Sequence, residues 1–391
     1  AGQGFRARNP CPAPRFRMRN PGFGLRGFAC ETAGRGAPPA GLVPRPRPAH
    51  EGRGAAREER TVSIEGDAEP PAGFARTWEE VAGGFATPSR LGPDGLLGAL
   101  HRADGRKVAL SERFGGHGGD HFPSREPETV PPPGPGTPRL AGRSLYLGHL
   151  MTGHYGHFIT ETLSSFWILE RLPAEGFDHL VFHDFRTRPE PPDFARLAFE
   201  AFGLDPARIT VVRDAPVAFE RIVAPERLLR LNHSVDPGLA AVHRRIAAHA
   251  GAPGRATPGR RLYLSRRRLR ARGYANEGRV EAVFRAAGFE VVHPQALPFE
   301  AQLRLYGSAE ALAGVAGSAL HNVLFAPPGT RVIELGDPRH PGRPSATQAL
   351  CHRAAGARGA FVPFAGRRLL GPPPALLADP GALRARLAEI L

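Results

Sequence analysis

The alternation of short β-branched segments with helix-length segments is the feature of this sequence that most constrains its fold. From residue 261 onward, strand-like pieces such as "RLYLSR" and "TRVIELG" are separated by amphipathic pieces such as "NEGRVEAVFRAAG". A less regular alternation runs from about residue 143 to residue 249. Strands that alternate with helices at this pace form parallel sheets covered on both faces. We therefore predict an α/β fold with two Rossmann-like domains that face a central crevice at the carboxyl ends of their strands.

Composition divides the chain further. Residues 1–60 are rich in Arg, Gly, Pro and Ala without periodicity, which is typical of a disordered tail. A first domain is predicted over 61–252, interrupted by the extended proline-rich linker 126–139. A Gly- and Pro-rich loop typical of a hinge follows, so a second domain is predicted over 253–391. Its last helix, 380–391, is amphipathic, and we expect it to pack back on the first domain.

The formal net charge of +15 raises the question of nucleic-acid binding. Lys107 is the only lysine, so nearly all basic residues are arginine, and together with 48 Gly and 42 Pro this indicates a GC-rich coding bias. The arginines are scattered, and no groove of interleaved basic and aromatic residues accompanies them. We therefore expect no nucleic-acid partner, and a basic nucleic-acid-binding protein is kept as the alternative from another functional class.

Cysteine usage and hydropathy indicate the cellular compartment in which the protein is expected. Cys11, Cys30 and Cys351 are too few and too far apart for a disulfide framework or a thiolate metal site, which fits a reducing compartment. No apolar run approaches the ~20 residues that span a bilayer. The amino-terminal arginines are not followed by the apolar segment of a signal peptide. These features predict a cytoplasmic protein, with peripheral association at the inner face of the membrane as a further expectation.

The segment "GHYGHFITETLSSFW", residues 153–167, combines polar titratable residues with a heavy apolar face. If it is helical, the spacing of three and then four residues places His154, His157 and Glu161 on one face. The apolar residues predicted to cover the buried side are Phe158, Leu163, Phe166, Trp167 and Leu169. The polar stripe could ligate a metal ion, but no H-E-x-x-H order or evident further ligand is present. We therefore predict no metal site here.

A second motif, "AGVAGSALHNVLFAPPGTRVIEL" at residues 313–335, predicts a strand, a glycine turn and a helix. Gly317 would let a backbone approach a bulky anion, and the N–H groups and dipole of a following helix favour phosphate. Ser318 can add a hydroxyl, and His321 and Asn322 follow within one turn. The alternative is an ordinary tight turn in which Ser318 is the helix N-cap. The motif lacks the third glycine and the downstream acid of the dinucleotide fingerprint.

Arg266 ends the strand "RLYLSR" and should project from the same sheet edge. A guanidinium there suits a diphosphate leaving group, on which charge develops as the bond breaks. The arginines that follow it are equally compatible with a solvated basic loop. Asn276 and Glu277 open the next helix as a favourable N-cap and first-turn acid, and Glu277 could also hold a sugar hydroxyl. The chain has no D-x-D, no P-loop and no G-x-S-x-G elbow.

These motifs together resemble glycosyltransferase family 61, whose members are also described as capsular polysaccharide biosynthesis proteins. The segments that carry the resemblance are "GHFITE" (156–161), "LYLSR" with a downstream "NE" (262–277), "FEAQL" (299–303) and "GSALHNVLFAPPGTRVIEL" (317–335). They keep the family's order and cover roughly residues 145–365. The resemblance implies a two-domain (GT-B-like) transferase that inverts anomeric configuration and uses nucleotide sugars without a bound metal or other cofactor.

One departure from the family is visible, because many members carry a histidine where Ala316 stands, which puts any nucleotide contact of that histidine in doubt. The resemblance implies donor binding by the second domain, for which the candidate residues are Arg266, Asn276, Glu277, Gly317, Ser318, His321, Asn322 and Glu334. The first domain would present the acceptor and a base. We favour His157 as base with Glu161 as its partner and His154 nearby; these residues could instead bind acceptor hydroxyls or support interdomain packing.

The resulting prediction is a bacterial inverting glycosyltransferase. It would move a sugar from a nucleoside diphosphate, most simply a uridine diphosphate, to a polysaccharide or lipid-linked glycan acceptor. The alternative within the same class is another two-domain transferase of surface polysaccharides, such as a polysaccharide pyruvyl transferase. A non-catalytic glycan-binding relative is a further alternative.

Overall fold

The computed structural model describes residues 62–64, 74–92, 95–113, 124–269, 273–337, 341–369 and 375–391. The predicted disordered tail 1–60 lies outside these residues. The described part is a mixed α/β fold with two large sheets, one from each of the predicted domains apart from an edge strand. Among the described residues, no helix has both the length and the apolarity needed to cross a membrane.

Strands are numbered here in chain order. The second sheet contains β1 Val62–Ile64, β13 Arg261–Leu264, β14 Glu290–Val292, β15 Ala311–Val315, β16 Arg331–Leu335 and β17 Arg358–Val362. Its order is β1-β17-β16-β15-β13-β14, in which β13 to β17 are parallel and β1 is an antiparallel edge. The parallel strands therefore follow the order 2-1-3-4-5 of doubly wound sheets, whose winding reverses between β13 and β15. A crevice is expected at the carboxyl ends of these two strands.

The first sheet is mixed. Its strands are β2 Trp78–Ala82, β3 Phe85–Ala86, β6 Leu100–His101, β7 Arg139–Leu150, β8 His179–Asp184, β9 Ile209–Val212 and β10 Val217–Pro225. Four of them, in the order β10-β7-β8-β9, are parallel, whereas β2, β3 and β6 add antiparallel pairings on the β10 side. The remaining strands form three two-stranded sheets. They pair β4 Arg90–Leu91 with β5 Leu96–Leu97, β11 Leu229–Arg230 with β12 Ser234–Val235, and β18 Gly366–Leu369 with β19 Ala375–Ala378.

The helices connect and cover these strands. They are α1 Tyr155–His157, α2 Asp193–Ala201, α3 Gly238–His249, α4 Glu277–Ala286, α5 Phe299–Tyr306, α6 Ala346–Ala355 and α7 Pro380–Ile390. Short 3₁₀ turns lie at Ala109–Ser111, Leu163–Glu170, Ala174–Gly176, Pro206–Arg208, Pro294–Ala296 and Leu320–Phe325. The predicted helix at 153–167 is not regular: α1 passes into a single π-helical turn, Phe158–Thr162, and then into the 3₁₀ segment Leu163–Glu170.

One apolar core runs through both sheets. It includes Leu145 and Leu180 of the first sheet as well as Leu264 and Leu312 of the second. Helix α3 lies between the two sheets and packs against Leu163–Glu170, the turn Leu320–Phe325, α5 and α6. The apolar core therefore continues across the predicted boundary between 61–252 and 253–391.

Two boundary predictions need correction. Helix α7 packs on α4 and β17 of the second sheet rather than returning to the first, because its Leu383 and Leu387 join the core that contains Val280 and Phe284. The predicted linker 126–139 contains no helix, as expected, but its first residue is part of the fold. Buried Glu126 pairs with His101 at 3.0 Å and accepts the Gly98 N–H at 2.8 Å.

Candidate active site at the contact of the two sheets

The centre of the candidate site is a hydrogen-bonded chain of three side chains from two segments. His157 Nδ1 lies 2.5 Å from Glu161 Oε1, so the predicted pairing of these two residues is present. The other side of Glu161 is held by a residue that sequence reasoning missed: Arg113 donates through Nε to Oε2 at 2.7 Å and through Nη2 to Oε1 at 3.1 Å. Arg113 and Glu161 are buried, whereas the His157 side chain is 28% exposed. These hydrogen bonds therefore connect the buried guanidinium of Arg113 with the partly exposed imidazole of His157.

Glu161 stays ionised although it is buried. Burial by itself would raise the pKa of this carboxyl group, but the positive charge of Arg113 and the hydrogen bonds from His157 and Arg113 outweigh it, and the pKa falls to about 2. Glu161 is therefore ionised at neutral pH. A carboxylate on Nδ1 holds the imidazole in the tautomer that carries a proton there, and it leaves Nε2 as an acceptor.

The π-helical turn that carries Glu161 is braced by side chains. His154 is the N-cap of α1 and accepts the His157 N–H at Nδ1, at 3.3 Å. His154 thus caps the turn and does not simply continue a polar stripe. Thr160 Oγ1 donates to the Gly156 carbonyl and Ser164 Oγ to the Glu161 carbonyl, both at 2.8 Å. The predicted apolar face is confirmed, since Phe158, Leu163, Phe166, Trp167 and Leu169 are all buried.

The second-domain motif meets α1 directly. A Cβ added to Gly156 would lie 2.9 Å from Ser318 Cβ, and one added to Gly317, whose φ is +142°, would collide with Nη2 of Arg266. At Gly156 the close approach to Ser318 leaves little room for a side chain, and at Gly317 the positive φ favours glycine. His321 is close to the same centre: burial lowers its pKa to about 4, against its bond with Gln348, and charges on His157, Arg266 and His154 lower it further.

The helix predicted after Gly317 is only the 3₁₀ turn Leu320–Phe325, and its N-cap is Ala319 rather than Ser318. Six residues provide few aligned peptide dipoles, so the helix dipole contributes little to anion binding at this turn. Anion binding would have to rest on Arg266, which is 6% exposed rather than freely projecting, and on the Ser318 hydroxyl. Asn322 accepts a hydrogen bond from Tyr155 and donates to the Ala319 carbonyl at 3.0 Å, so it joins α1 to this turn.

A cleft of about 540 Å³, partly open to solvent, lies at the carboxyl ends of β13 and β15. Its lining includes Arg266, Ser318 and Asn322 among the predicted donor residues, together with Tyr155, Phe194 and Leu297. The lining of the cleft is mainly apolar with a few polar groups, which is the usual character of a small-molecule site. Its position agrees with the crevice expected where the winding of a doubly wound sheet reverses.

Two predicted donor residues, Asn276 and Glu277, make several hydrogen bonds within the protein. Asn276 is the N-cap residue of α4, as predicted, but its side chain makes no capping hydrogen bond. Its amide instead donates to the Ala378 carbonyl at 2.8 Å and accepts the Ala378 N–H at 2.9 Å. Buried Glu277 accepts from Tyr263 at 2.7 Å, from the Arg266 N–H at 3.2 Å and from the Tyr274 N–H at 3.1 Å. With three protein donors, this carboxylate supports the end of β13 rather than presenting itself to a sugar hydroxyl.

Glu334 is also removed from the cleft. It is fully buried at the end of β16, its Oε1 accepts the Ser345 N–H at 3.2 Å, and its Oε2 has no partner among the described residues. Burial raises its pKa to about 8, opposed by the bond from Ser345 and assisted by the charge of Asp337. Glu334 is therefore predominantly protonated at neutral pH and is not an exposed donor ligand.

Within the described residues, no group of three or more His, Cys, Asp or Glu side chains is arranged to hold a metal ion. Glu161 already accepts hydrogen bonds on both oxygens from Arg113, which leaves it poorly suited to ligate a cation. The roles of Arg113 and Tyr155 had no local signal in the sequence, because their partners Glu161 and Asn322 are 48 and 167 residues away.

Comparison with known proteins gives one family. Residues 155–333 match the model of the family described as Glycosyltransferase 61. The matched segment begins at Tyr155 and contains Glu161, Arg266 and Ser318. It supports assignment of this segment to glycosyltransferase family 61, and thus a glycosyltransferase, which would use a sugar donor and an acceptor. No curated protein matches the chain.

Proposed function

We propose that this chain is an inverting glycosyltransferase that moves a sugar from a nucleoside diphosphate, most simply a uridine diphosphate, to a glycan acceptor. The observation that carries the proposal is the close approach of Gly156 in α1 to Ser318. It brings the segment in which His157 pairs with Glu161 next to a cleft that Tyr155, Arg266 and Ser318 line. In this reading the two sheets are the cores of two Rossmann-like units in a GT-B-like arrangement. Surface or capsular polysaccharide synthesis at the cytoplasmic face of the membrane is the matching biological role.

In the proposed reaction, His157 is the general base. Its Nδ1–H donates to ionised Glu161, so Nε2 can take the proton of the acceptor hydroxyl. As this proton leaves, the acceptor oxygen forms a bond to the anomeric carbon, and the bond from that carbon to the diphosphate oxygen breaks. Attack opposite the leaving group inverts the anomeric centre. Arg266 and the Ser318 hydroxyl would stabilise the charge that develops on the departing diphosphate.

The donor half is tested by nucleotide binding. UDP should raise the melting temperature of the protein, and Arg266→Ala should abolish that shift because it removes the cation beside Gly317. Arg267→Ala is the matched control, since Arg267 follows directly in the chain but its side chain is 63% exposed. Equal stabilisation of wild type and Arg266→Ala by UDP would contradict the diphosphate assignment. Binding that is lost with salt and is specific for nucleic acid would favour the alternative class.

The acceptor half is tested by turnover. His157→Ala should keep UDP binding but lose ~10²–10⁴-fold in transfer rate, which is the usual contribution of a general base. The assay uses the UDP-sugar that stabilises the protein most and follows UDP release. Near-normal turnover by folded His157→Ala would remove the base role from His157. Turnover should also survive excess chelator, because the proposal assigns the diphosphate charge to Arg266 rather than to a divalent ion.

A further inference from the structure

A buried histidine on α3 touches both halves of the candidate site. His243 is fully buried, and its Nε2 lies 2.8 Å from the carbonyl oxygen of Ile159, inside the π-helical turn. On its other side, the ring packs edge-on against Phe325, the last residue of the turn Leu320–Phe325, with centroids 4.8 Å apart. His243 therefore connects the turn that carries Glu161 with the turn that begins beside Ser318.

The single N–H of the neutral His243 ring is best placed on Nε2, where it donates to the Ile159 carbonyl. Burial lowers the pKa of His243 to about 4, against the effect of its two carbonyl contacts, so the neutral ring has one N–H at pH 7. Nδ1 lies 2.7 Å from the Leu239 carbonyl, but that carbonyl is four residues earlier in α3 and receives the backbone N–H of residue 243. The Ile159 carbonyl belongs to an irregular turn, for which a side-chain donor matters more.

We propose that His243 is a positioning residue, whose Nε2–H fixes the Ile159 carbonyl and thereby holds the π-helical turn in the shape that brings Glu161 to Arg113. Its importance for transfer rests on the proposed function. The turn is irregular by one residue relative to an α-helix, and relaxation to a regular helix would rotate Glu161 away from Arg113 while keeping it within reach of His157. A buried donor on α3, independent of that turn, opposes such a relaxation.

The test compares His243→Leu with His243→Gln. Leucine removes the side-chain donor to the Ile159 carbonyl, whereas the amide nitrogen of glutamine reaches about as far as Nε2. We expect hydrogen exchange of the amides in 158–164 to accelerate at least tenfold in His243→Leu and to return to within about threefold of wild type in His243→Gln. His101→Leu removes another buried histidine, bonded to Glu126, and should leave exchange in 158–164 unchanged.

Turnover provides the second measurement. kcat should fall at least tenfold in His243→Leu while the Kd for UDP stays within threefold, and His243→Gln should recover most of kcat. Wild-type exchange in His243→Leu, or acceleration without rescue by glutamine, would overturn the positioning role. If instead the wild-type protein transfers no sugar, the proposed function fails while the exchange result still decides what His243 does.

Discussion

Glu161 is important both for the charge of the candidate site and for the stability of the fold. Its carboxylate is buried with Arg113, and a buried pair of this kind becomes costly when one partner is removed, by ~3–5 kcal/mol, because the other charge is left uncompensated. Glu161→Gln alone would therefore mix a catalytic effect with a loss of stability. The double variant Arg113→Met/Glu161→Gln avoids the unpaired cation and isolates the role of the carboxylate.

The first prediction concerns acid stability. Because the folded pKa of Glu161 is lowered from 4.5 to about 2, its contribution is present above pH 4.5 and is lost as the pH falls towards 2. The shift corresponds to about 3 kcal/mol in free energy of unfolding. Wild type should therefore lose more stability between pH 5 and pH 3 than the double variant, measured by urea unfolding. Parallel losses in the two proteins would contradict the ionised, paired state of Glu161.

The sequence alone predicts one of the two pairings of Glu161, the one with His157. A spacing of four residues predicts the contact of His157 with Glu161, because such pairs meet on any helical turn. Arg113 lies in a short segment before β7 without helical or strand periodicity, so only the fold reveals its pairing. Asn276 shows the reverse case, since a side chain that is a good N-cap locally is used instead by β19, 102 residues further on.

At the scale of elements, the end of β16 carries an unusual buried acid. Glu334 has a folded pKa of about 8, so its contribution to stability is fully present below pH 4.5 and is lost as the pH rises through 8. We predict that the free energy of unfolding of wild type falls between pH 5 and pH 8 relative to that of Glu334→Gln, whose amide cannot ionise. Urea unfolding at the two pH values measures this difference; equal pH dependence in both proteins would show that Glu334 is not held protonated.

The succession of elements was predictable from the sequence, because amphipathic period and turn residues specify helices and strands locally. The predicted strands "RLYLSR", "ALAGVA" and "TRVIELG" correspond to β13, β15 and β16, and the predicted helix "PGLAAVHRRIAAHA" to α3. The π-helical turn was not predictable, since its donors come from distant residues such as His243. The sequence after Gly317 predicts a helix where the structure has a short 3₁₀ turn, because the apolar spacing of the two is the same.

At the scale of the whole molecule, the apolar core that the two sheets share limits how far they can move relative to each other. Two-domain transferases that close around a substrate need an interface that can slide or open, and a large apolar interface opposes such motion. Here α3 packs against elements of both halves, and the apolar core continues from Leu180 to Leu312 without interruption. We therefore expect the cleft beside Arg266 to be largely preformed.

The same continuity predicts that the two halves do not fold separately. A fragment of residues 253–391 would lose α3 and expose the apolar residues that it covers, among them Leu303, Leu320 and Phe325. Burial of one large apolar side chain is worth ~1.5–3 kcal/mol, so the loss of three removes ~4.5–9 kcal/mol, which is comparable with the ~5–15 kcal/mol stability of a whole domain. The full chain should unfold in one cooperative calorimetric transition, and the fragment should give no transition. A fragment extended to begin at residue 237 regains α3 and is the matched control. A cooperative transition in the shorter fragment, or two separate transitions in the full chain, would mean that the hinge predicted after residue 252 separates independent domains after all.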